Sequence, residues 1–252
     1  MSTAAADMLA RVFACIDNTT LNATDNEAMV EAFCRYTRSL ALADGTTVAA
    51  VCVYPRFVNV AKRALEGSGI AVASVAGAFP HGQLPIELKV AEVRYATEQG
   101  ADEVDVVLSR GLLLAGDDDK VRREVELMKQ ACRDRRLKVI LETGELPSPT
   151  LVERAARLAI DGGADFIKTS TGKSGTGATP EAAATMLRAV AGCGRTVGFK
   201  AAGGIRTPEA ALQYAHLTAD IVGDAYLAPG TFRIGASSLT DTLFAALGQP
   251  GR

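Results

Sequence analysis

Two lysines end apolar runs in the second half of this chain: Lys168 closes "DFIK" (165–168) and Lys200 closes "VGFK" (197–200). Taken singly, a lysine at such a point is commonly a strand end with its ammonium in water. Taken together they raise a chemical reading. An isolated lysine, with a pKa near ~10.4, is uncharged in only about four molecules in ten thousand at pH 7. Two ammonium groups side by side disfavour each other's charge and lower a pKa, which a nucleophilic amine needs. The chemistry such a pair supports is attack on a carbonyl by one lysine while the other holds its pKa down.

Asp105 adds to this. "VDVVL" (104–108) sets a carboxylate inside an apolar, β-branched run, where a solvated face is not expected. Burying that ion requires a partner, and Lys168 and Lys200 are the available ones. A structural ion pair inside the fold and a working acid–base group both satisfy the pattern.

The elements that must position these groups repeat. Short runs rich in Val, Ile and Ala, at 11–17, 48–54, 70–77, 102–108, 138–143, 164–170, 196–202 and 219–224, predict eight strands. Amphipathic segments such as 26–41, 120–134 and 150–162 lie between them and often close on Gly or Asp-Gly. A βα step about every 30 residues implies a parallel sheet, and eight steps imply a (β/α)8 barrel of the α/β class. A doubly wound open sheet is the alternative, but its first turn calls for G-x-G-x-x-G, and "DNTTLNA" (17–23) has none. No linker or low-complexity tract divides the 252 residues. They read as a single domain, 1–252, with a short helical lead-in at the N-terminus and a flexible C-terminal tail.

In a barrel the chemistry sits at the C-terminal strand ends. In chain order those ends carry Asp17, Cys52, Ser74 or Gly77, Asp105, Glu142, Lys168, Lys200 and Asp224. Lys168 and Lys200 fall on the sixth and seventh strands, which are neighbours. Three segments look built to present backbone N–H groups: "STGKSGTG" (170–177), "AAGGIRT" (201–207) and "GASS" (235–238). Their glycines allow close approach, and Ser237 or Ser238 suits a helix cap at an anion-ready N-terminus. A phosphorylated substrate fits that placement, with Arg206 either on the phosphate or in a surface pair. "GKS" (172–174) is not a nucleotide P-loop, because position 167 is Ile167 where that motif needs glycine.

Composition narrows the rest. A formal net charge of -2 argues against a nucleic-acid surface, and no run reaches the roughly 18 apolar residues of a membrane span. Five cysteines without a C-x-x-C pair and two distant histidines, His81 and His216, show no zinc spacing or disulfide framework. The N-terminus lacks a secretion signal, so a reducing, cytoplasmic setting is expected.

The motifs "DFIKTSTGKSGTGATPEAA", "GFKAAGGIRTPEAA", "GADEVDVVLS", "CVYPRFV" and "GASSL" together resemble the 2-deoxyribose-5-phosphate aldolase family of class I Schiff-base aldolases, over about residues 11 to 245. The resemblance implies a (β/α)8 fold with Lys168 as the Schiff-base lysine and Lys200 as its electrostatic partner. It further implies Asp105 in proton relay and Asp17 orienting Lys200. Cys52 would line the pocket without being a required catalyst, and Thr171, Gly172, Gly203, Gly204, Ser237 and Ser238 would hold phosphate. Substrates would be a sugar phosphate and acetaldehyde, with no metal or organic cofactor, and a homo-oligomer stays open. This chain departs from the family at Ala201, where proline is frequent, and at Leu108-Ser109, where an aromatic-Pro pair is common. Many relatives also end in a tyrosine assigned to proton exchange, whereas this chain finishes "LGQPGR".

Overall fold

The structure is a computed structural model that describes residues 3–248. The expected C-terminal tail lies largely outside the described residues. Eight strands, β1 (Ile16–Thr19), β2 (Ala50–Val53), β3 (Ala71–Ala76), β4 (Glu103–Val107), β5 (Arg136–Ile140), β6 (Phe166–Lys168), β7 (Gly198–Ala202) and β8 (Phe232–Ala236), pair in parallel and close in sequence order. The fold is thus a (β/α)8 barrel. Around it, in chain order, run α1 (Thr3–Ala14), α2 (Glu27–Ser39), α3 (Val58–Ala64), α4 (Ile86–Glu98), α5 (Arg110–Ala115), α6 (Asp118–Cys132), α7 (Pro149–Asp161), α8 (Pro180–Ala191), α9 (Pro208–Val222) and α10 (Leu239–Ala246).

Local sequence explains where the later helices begin. Ser148, Thr179 and Thr207 each accept a hydrogen bond from the third residue of the helix that follows, and proline stands at the first helical position of all three. The hydroxyl satisfies one orphan N–H, and proline needs no partner there.

Two expected strands are corrected. Residues 11–14 belong to α1, because Leu9, Val12 and Phe13 recur at helical spacing and are all buried, and the strand starts only at Ile16. Residues 219–222 finish α9, and the eighth strand is "FRIGA", whose arginine breaks the apolar run that strand reading relies on. Asp224 therefore does not reach the barrel mouth. It pairs with Arg11 on the surface at 2.9 Å.

Strand alternation divides the residues between two layers. Val51, Val72, Val104, Val106, Val139, Ile167, Phe199 and Ile234 face the helices and join the main core. The alternate residues face inward. On β2 and β3 these are small and apolar, with Ala50, Cys52, Ala73 and Val75 forming a separate cluster beside Leu21. On β1 and β4–β8 they are mostly charged.

Candidate active site

Register brings the two lysines together. Lys168 and Lys200 are direct pairing partners on β6 and β7, and Asp105 pairs with Lys138 across β4 and β5. Lys168 Nζ donates to Asp105 Oδ2 at 2.9 Å, and Lys200 Nζ donates to the same oxygen at 2.7 Å. Lys200 also bonds Asp17 in a short contact. Lys138 Nζ lies 3.0 Å from Asp105 Oδ1, 3.2 Å from Asp17 Oδ2 and 2.5 Å from Glu103 Oε2. All of these groups are buried, Lys168 being the most accessible at 4%.

The charges do not balance by simple pairing, and the titration directions follow from that. Burial lowers the Lys168 pKa, and the adjacent Lys200 charge lowers it further against the pull of Asp105. Burial, more than the neighbouring ammonium that sequence reasoning relied on, is the first cause. Burial also opposes charge on Lys200, but Asp105 and Asp17 outweigh it and raise that pKa. Burial opposes charge on Asp105 too, yet Lys138, Lys168 and Lys200 hold its carboxyl well below the usual range. The interior thus holds ionised acids, a protonated Lys200 and an amine at Lys168 that gives up its proton more easily than a free lysine.

Above Lys168 opens a cleft of about 190 Å³ between the loops that follow β6, β7, β8 and β1. Lys168 lines it, as do Thr171, Gly172, Gly203, Gly204, Ser237 and Ser238. Gly172, Gly203 and Gly204 have φ of +74°, +90° and +84°, a region that favours glycine. Ser238 occupies the N-cap position of α10, but its hydroxyl makes no capping bond, so the expected side-chain cap is not formed. Arg206 and Lys173 line the same cleft, and Lys173 Nζ reaches across to the Leu21 carbonyl at 2.7 Å.

Asp17, Asp105, Lys200 and Cys52 are not among the cleft's lining residues. Cys52 is buried in the small apolar wall, and burial pushes its thiol up to about 11, so it is a neutral packing group. Ser74 faces the helix layer, its hydroxyl donating to the Val75 carbonyl, and is no part of the site. Glu142 follows β5 with φ +54° and spends its carboxylate on the β6 loop. It accepts from Thr171 Oγ1 at 2.5 Å, Ser174 Oγ at 3.0 Å and the Thr171 N–H at 3.3 Å.

Sequence reasoning missed Lys138, Glu103 and Arg233. Glu103 stands two residues before Asp105 and so shares its face, a signal that period-two counting offers. Lys138 likewise stands two and four residues before Ile140 and Glu142. Arg233 was hidden by the misplaced eighth strand.

Among the described residues no group of three or more His, Cys, Asp or Glu is arranged to hold a metal ion, and no helix is long and apolar enough to cross a membrane. A family model described as DeoC/LacD family aldolase matches residues 11–243. Three solved structures are similar. A protein designated QR15, an aldolase, is 30% identical, with 94% of this chain and 96% of that one covered and a TM-score of 0.79. A candidate deoxyribose-phosphate aldolase from Coccidioides immitis is 28% identical over 94% of this chain and 86% of its own, with a TM-score of 0.83. The deoxyribose phosphate aldolase from Aeropyrum pernix, a tetramer, is 27% identical over 97% and 92%, with a TM-score of 0.74.

Proposed function

Since this chain belongs to the DeoC/LacD family of aldolases, which are carbon–carbon lyases, we propose that it reversibly cleaves 2-deoxy-D-ribose 5-phosphate to D-glyceraldehyde 3-phosphate and acetaldehyde through a Schiff base on Lys168. The observation that carries the reading is a buried amine with a lowered pKa, sharing one carboxylate oxygen with a second, protonated lysine at the floor of a glycine-lined cleft.

The neutral Lys168 Nζ attacks C1 of the open-chain sugar phosphate, and loss of water leaves an iminium. The C3 hydroxyl then gives up its proton, C3 becomes the aldehyde of glyceraldehyde 3-phosphate, and the electrons of the C2–C3 bond move onto C2. An enamine of acetaldehyde stays on Lys168. Protonation at C2 and addition of water release acetaldehyde and restore the amine. Asp105 and Lys200 would pass these protons, the Asp105 carboxylate taking the one from the C3 hydroxyl and Lys200, kept charged by Asp105 and Asp17, acting as the donor. An Asp105 carboxyl held so low passes that proton on rather than storing it. Thr171, Gly172, Gly203, Gly204, Ser237 and Ser238 would fix the phosphate, so that binding far from the reacting carbons orients them.

A sugar-phosphate isomerase with Glu142 as base is the weaker reading, because that carboxylate is committed to Thr171 and Ser174. Five free cysteines fit a reducing, cytoplasmic setting, and the Aeropyrum pernix tetramer supports association between copies of this chain.

The test is mass spectrometry of protein treated with acetaldehyde and borohydride, followed by peptide mapping. A reduced two-carbon adduct confined to Lys168 is expected, with Lys168→Ala folded but inactive and unlabelled. An adduct on Lys200 alone would reverse the two roles. No site-selective adduct would leave a phosphate-binding barrel without Schiff-base chemistry, and saturation by a donor other than acetaldehyde would point to a different aldol substrate.

A further inference from the structure

Deeper than the two lysines, the barrel interior holds more charge. Arg233, buried on β8, forks onto Glu103, with Nη1 donating to Oε2 at 3.1 Å and Nη2 to Oε1 at 2.7 Å. Its Nη1 also reaches Asp17 Oδ1 at 2.5 Å, and Nε donates to the Pro229 carbonyl at 2.6 Å. Asp17 therefore spends one oxygen on Arg233 and the other on Lys138 and Lys200. Asp105 divides in the same way, Oδ1 to Lys138 and Oδ2 to Lys168 and Lys200.

Three carboxylates, Asp17, Glu103 and Asp105, are thus buried with four bases, Lys138, Lys168, Lys200 and Arg233. An uncompensated charge in such an interior is strongly disfavoured, so one base is in excess and one proton is shed. A guanidinium does not shed it. Lys138 touches three of the carboxylates and Lys200 two, whereas Lys168 touches Asp105 alone. Lys168 is therefore the base that yields. Glu142, also buried, spends its carboxylate on Thr171 and Ser174 and pairs with none of these bases. Cys15 and Cys52 are thiols kept neutral by burial, and Arg136 meets Glu103 from the barrel rim, 39% exposed and screened by solvent.

We propose that Arg233 is a positioning residue for the reaction: its permanent charge is the fourth cation that obliges Lys168 to stand as a free amine, although the two never touch. This rests on Lys168 being the nucleophile. Its consequence is directional. Removing Arg233 leaves three bases for three acids, so Lys168 keeps its proton to higher pH. Removing the charge of Glu103 leaves two bases in excess and acts oppositely, and removing both restores an excess of one.

The test is the pH dependence of kcat/KM for cleavage of 2-deoxyribose 5-phosphate in wild type, Arg233→Gln, Glu103→Gln, the double variant and Arg233→Lys. Borohydride trapping with acetaldehyde is run on each, and circular dichroism checks the fold. The acid limb of Arg233→Gln should move up by about one pH unit, read as about a tenfold loss on that limb. Glu103→Gln should move it down, the double variant should return it to the wild-type position, and Arg233→Lys, which keeps the charge and loses the fork, should leave it there. Limbs that coincide, or that all move one way, overturn the proposal while the adduct stays on Lys168. A wild type that gives no Lys168 adduct overturns the nucleophile assignment instead. Should Arg233→Gln fail to fold, the downward shift of Glu103→Gln and its reversal in the double variant decide the matter, and the lack of either refutes the charge count.

Discussion

Gly235 gives a sharp test of how Lys200 is placed. It lies on β8 beside the cleft, in register with Asp17 and Ala202, where the Lys200 side chain passes. A Cβ at this position would lie 2.9 Å from Lys200 Cε and 3.2 Å from Ala202 Cβ. Carbon atoms settle about 3.5–4.0 Å apart, so Lys200 Cε would have to withdraw by roughly 0.6–1.1 Å. A flexible side chain usually yields at little cost, but this one is held by Asp17 and by a 2.7 Å bond to Asp105. Drawing Nζ back by the same amount stretches that bond past about 3.3 Å, beyond the usual N–H···O range. Gly235→Ala therefore acts on the amine more than on the fold. Overpacking of this kind costs about 1–3 kcal/mol, which lowers Tm by several degrees without unfolding the barrel. Misplacing a reacting group by about 1 Å costs about a hundredfold in rate. Steady-state cleavage kinetics and a thermal melt should show kcat down about a hundredfold with KM changed less than about threefold. A kcat within about twofold of wild type would refute the claim that Lys200 must stand where it does.

Other perturbations separate roles within the site. Glu142→Gln weakens the bonds that hold Thr171 and Ser174, and because bonds to a charged group are worth about 1.5–3 kcal/mol, KM for the phosphorylated substrate should rise about tenfold or more. Its kcat and its acetaldehyde adduct should persist, whereas a collapse of kcat would mean that Glu142 moves protons. Stability should depend on acid through Asp17, Glu103 and Asp105. Burial opposes their charge, but Lys138 first, and then the other cations, hold all three carboxyls below their ordinary values. With folded values depressed, the unfolded chain binds protons that the native state does not. The stabilisation is whole above about pH 5 and is lost as the pH falls below about 4. Urea midpoints measured from pH 7 to pH 3 should fall over that range in wild type and fall less steeply in Lys138→Met, and a flat wild-type midpoint would contradict the depressed values.

What was legible in the sequence, and what was not, follows one rule. A charged residue inside an apolar run is readable when the run is long enough to be recognised, as around Asp105, Lys168 and Lys200. The barrel is legible because short apolar runs, even where a charge interrupts them, mark six of the eight strands, and glycine-rich loops follow β6, β7 and β8. Arg233 is the second residue of a five-residue strand with a glycine two places on, so neither apolar length nor alternation marks it, and the apolar end of α9 takes its place in the count. Lys138 opens its apolar run at 138–143 and so looks like the polar start of a strand, although by period-two counting it shares a face with Glu142. Helix and strand both present short apolar runs, and only burial of every third or fourth residue, as at Leu9, Val12 and Phe13, separates them.

The division of labour between the two faces of each strand explains why such an interior is tolerated. Barrel interiors are ordinarily packed with branched apolar side chains, and exchanging buried ion pairs for well-packed apolar residues is often neutral or stabilising. Seven ionisable groups inside this barrel are therefore not accounted for by stability. The outward-facing residues carry the fold, burying Val104, Val106, Val139, Ile167 and Phe199 against the helices, and they alternate with the charged positions one for one. The interior can then be spent on an arrangement in which every carboxylate is committed to cations and one amine is left over. Small residues on β2 and β3, Ala50, Cys52 and Ala73, make the opposite wall apolar. A charge count that leaves one base without a matching acid is costly as architecture and useful as chemistry, because it stores the driving force for deprotonating a lysine in the folded state itself.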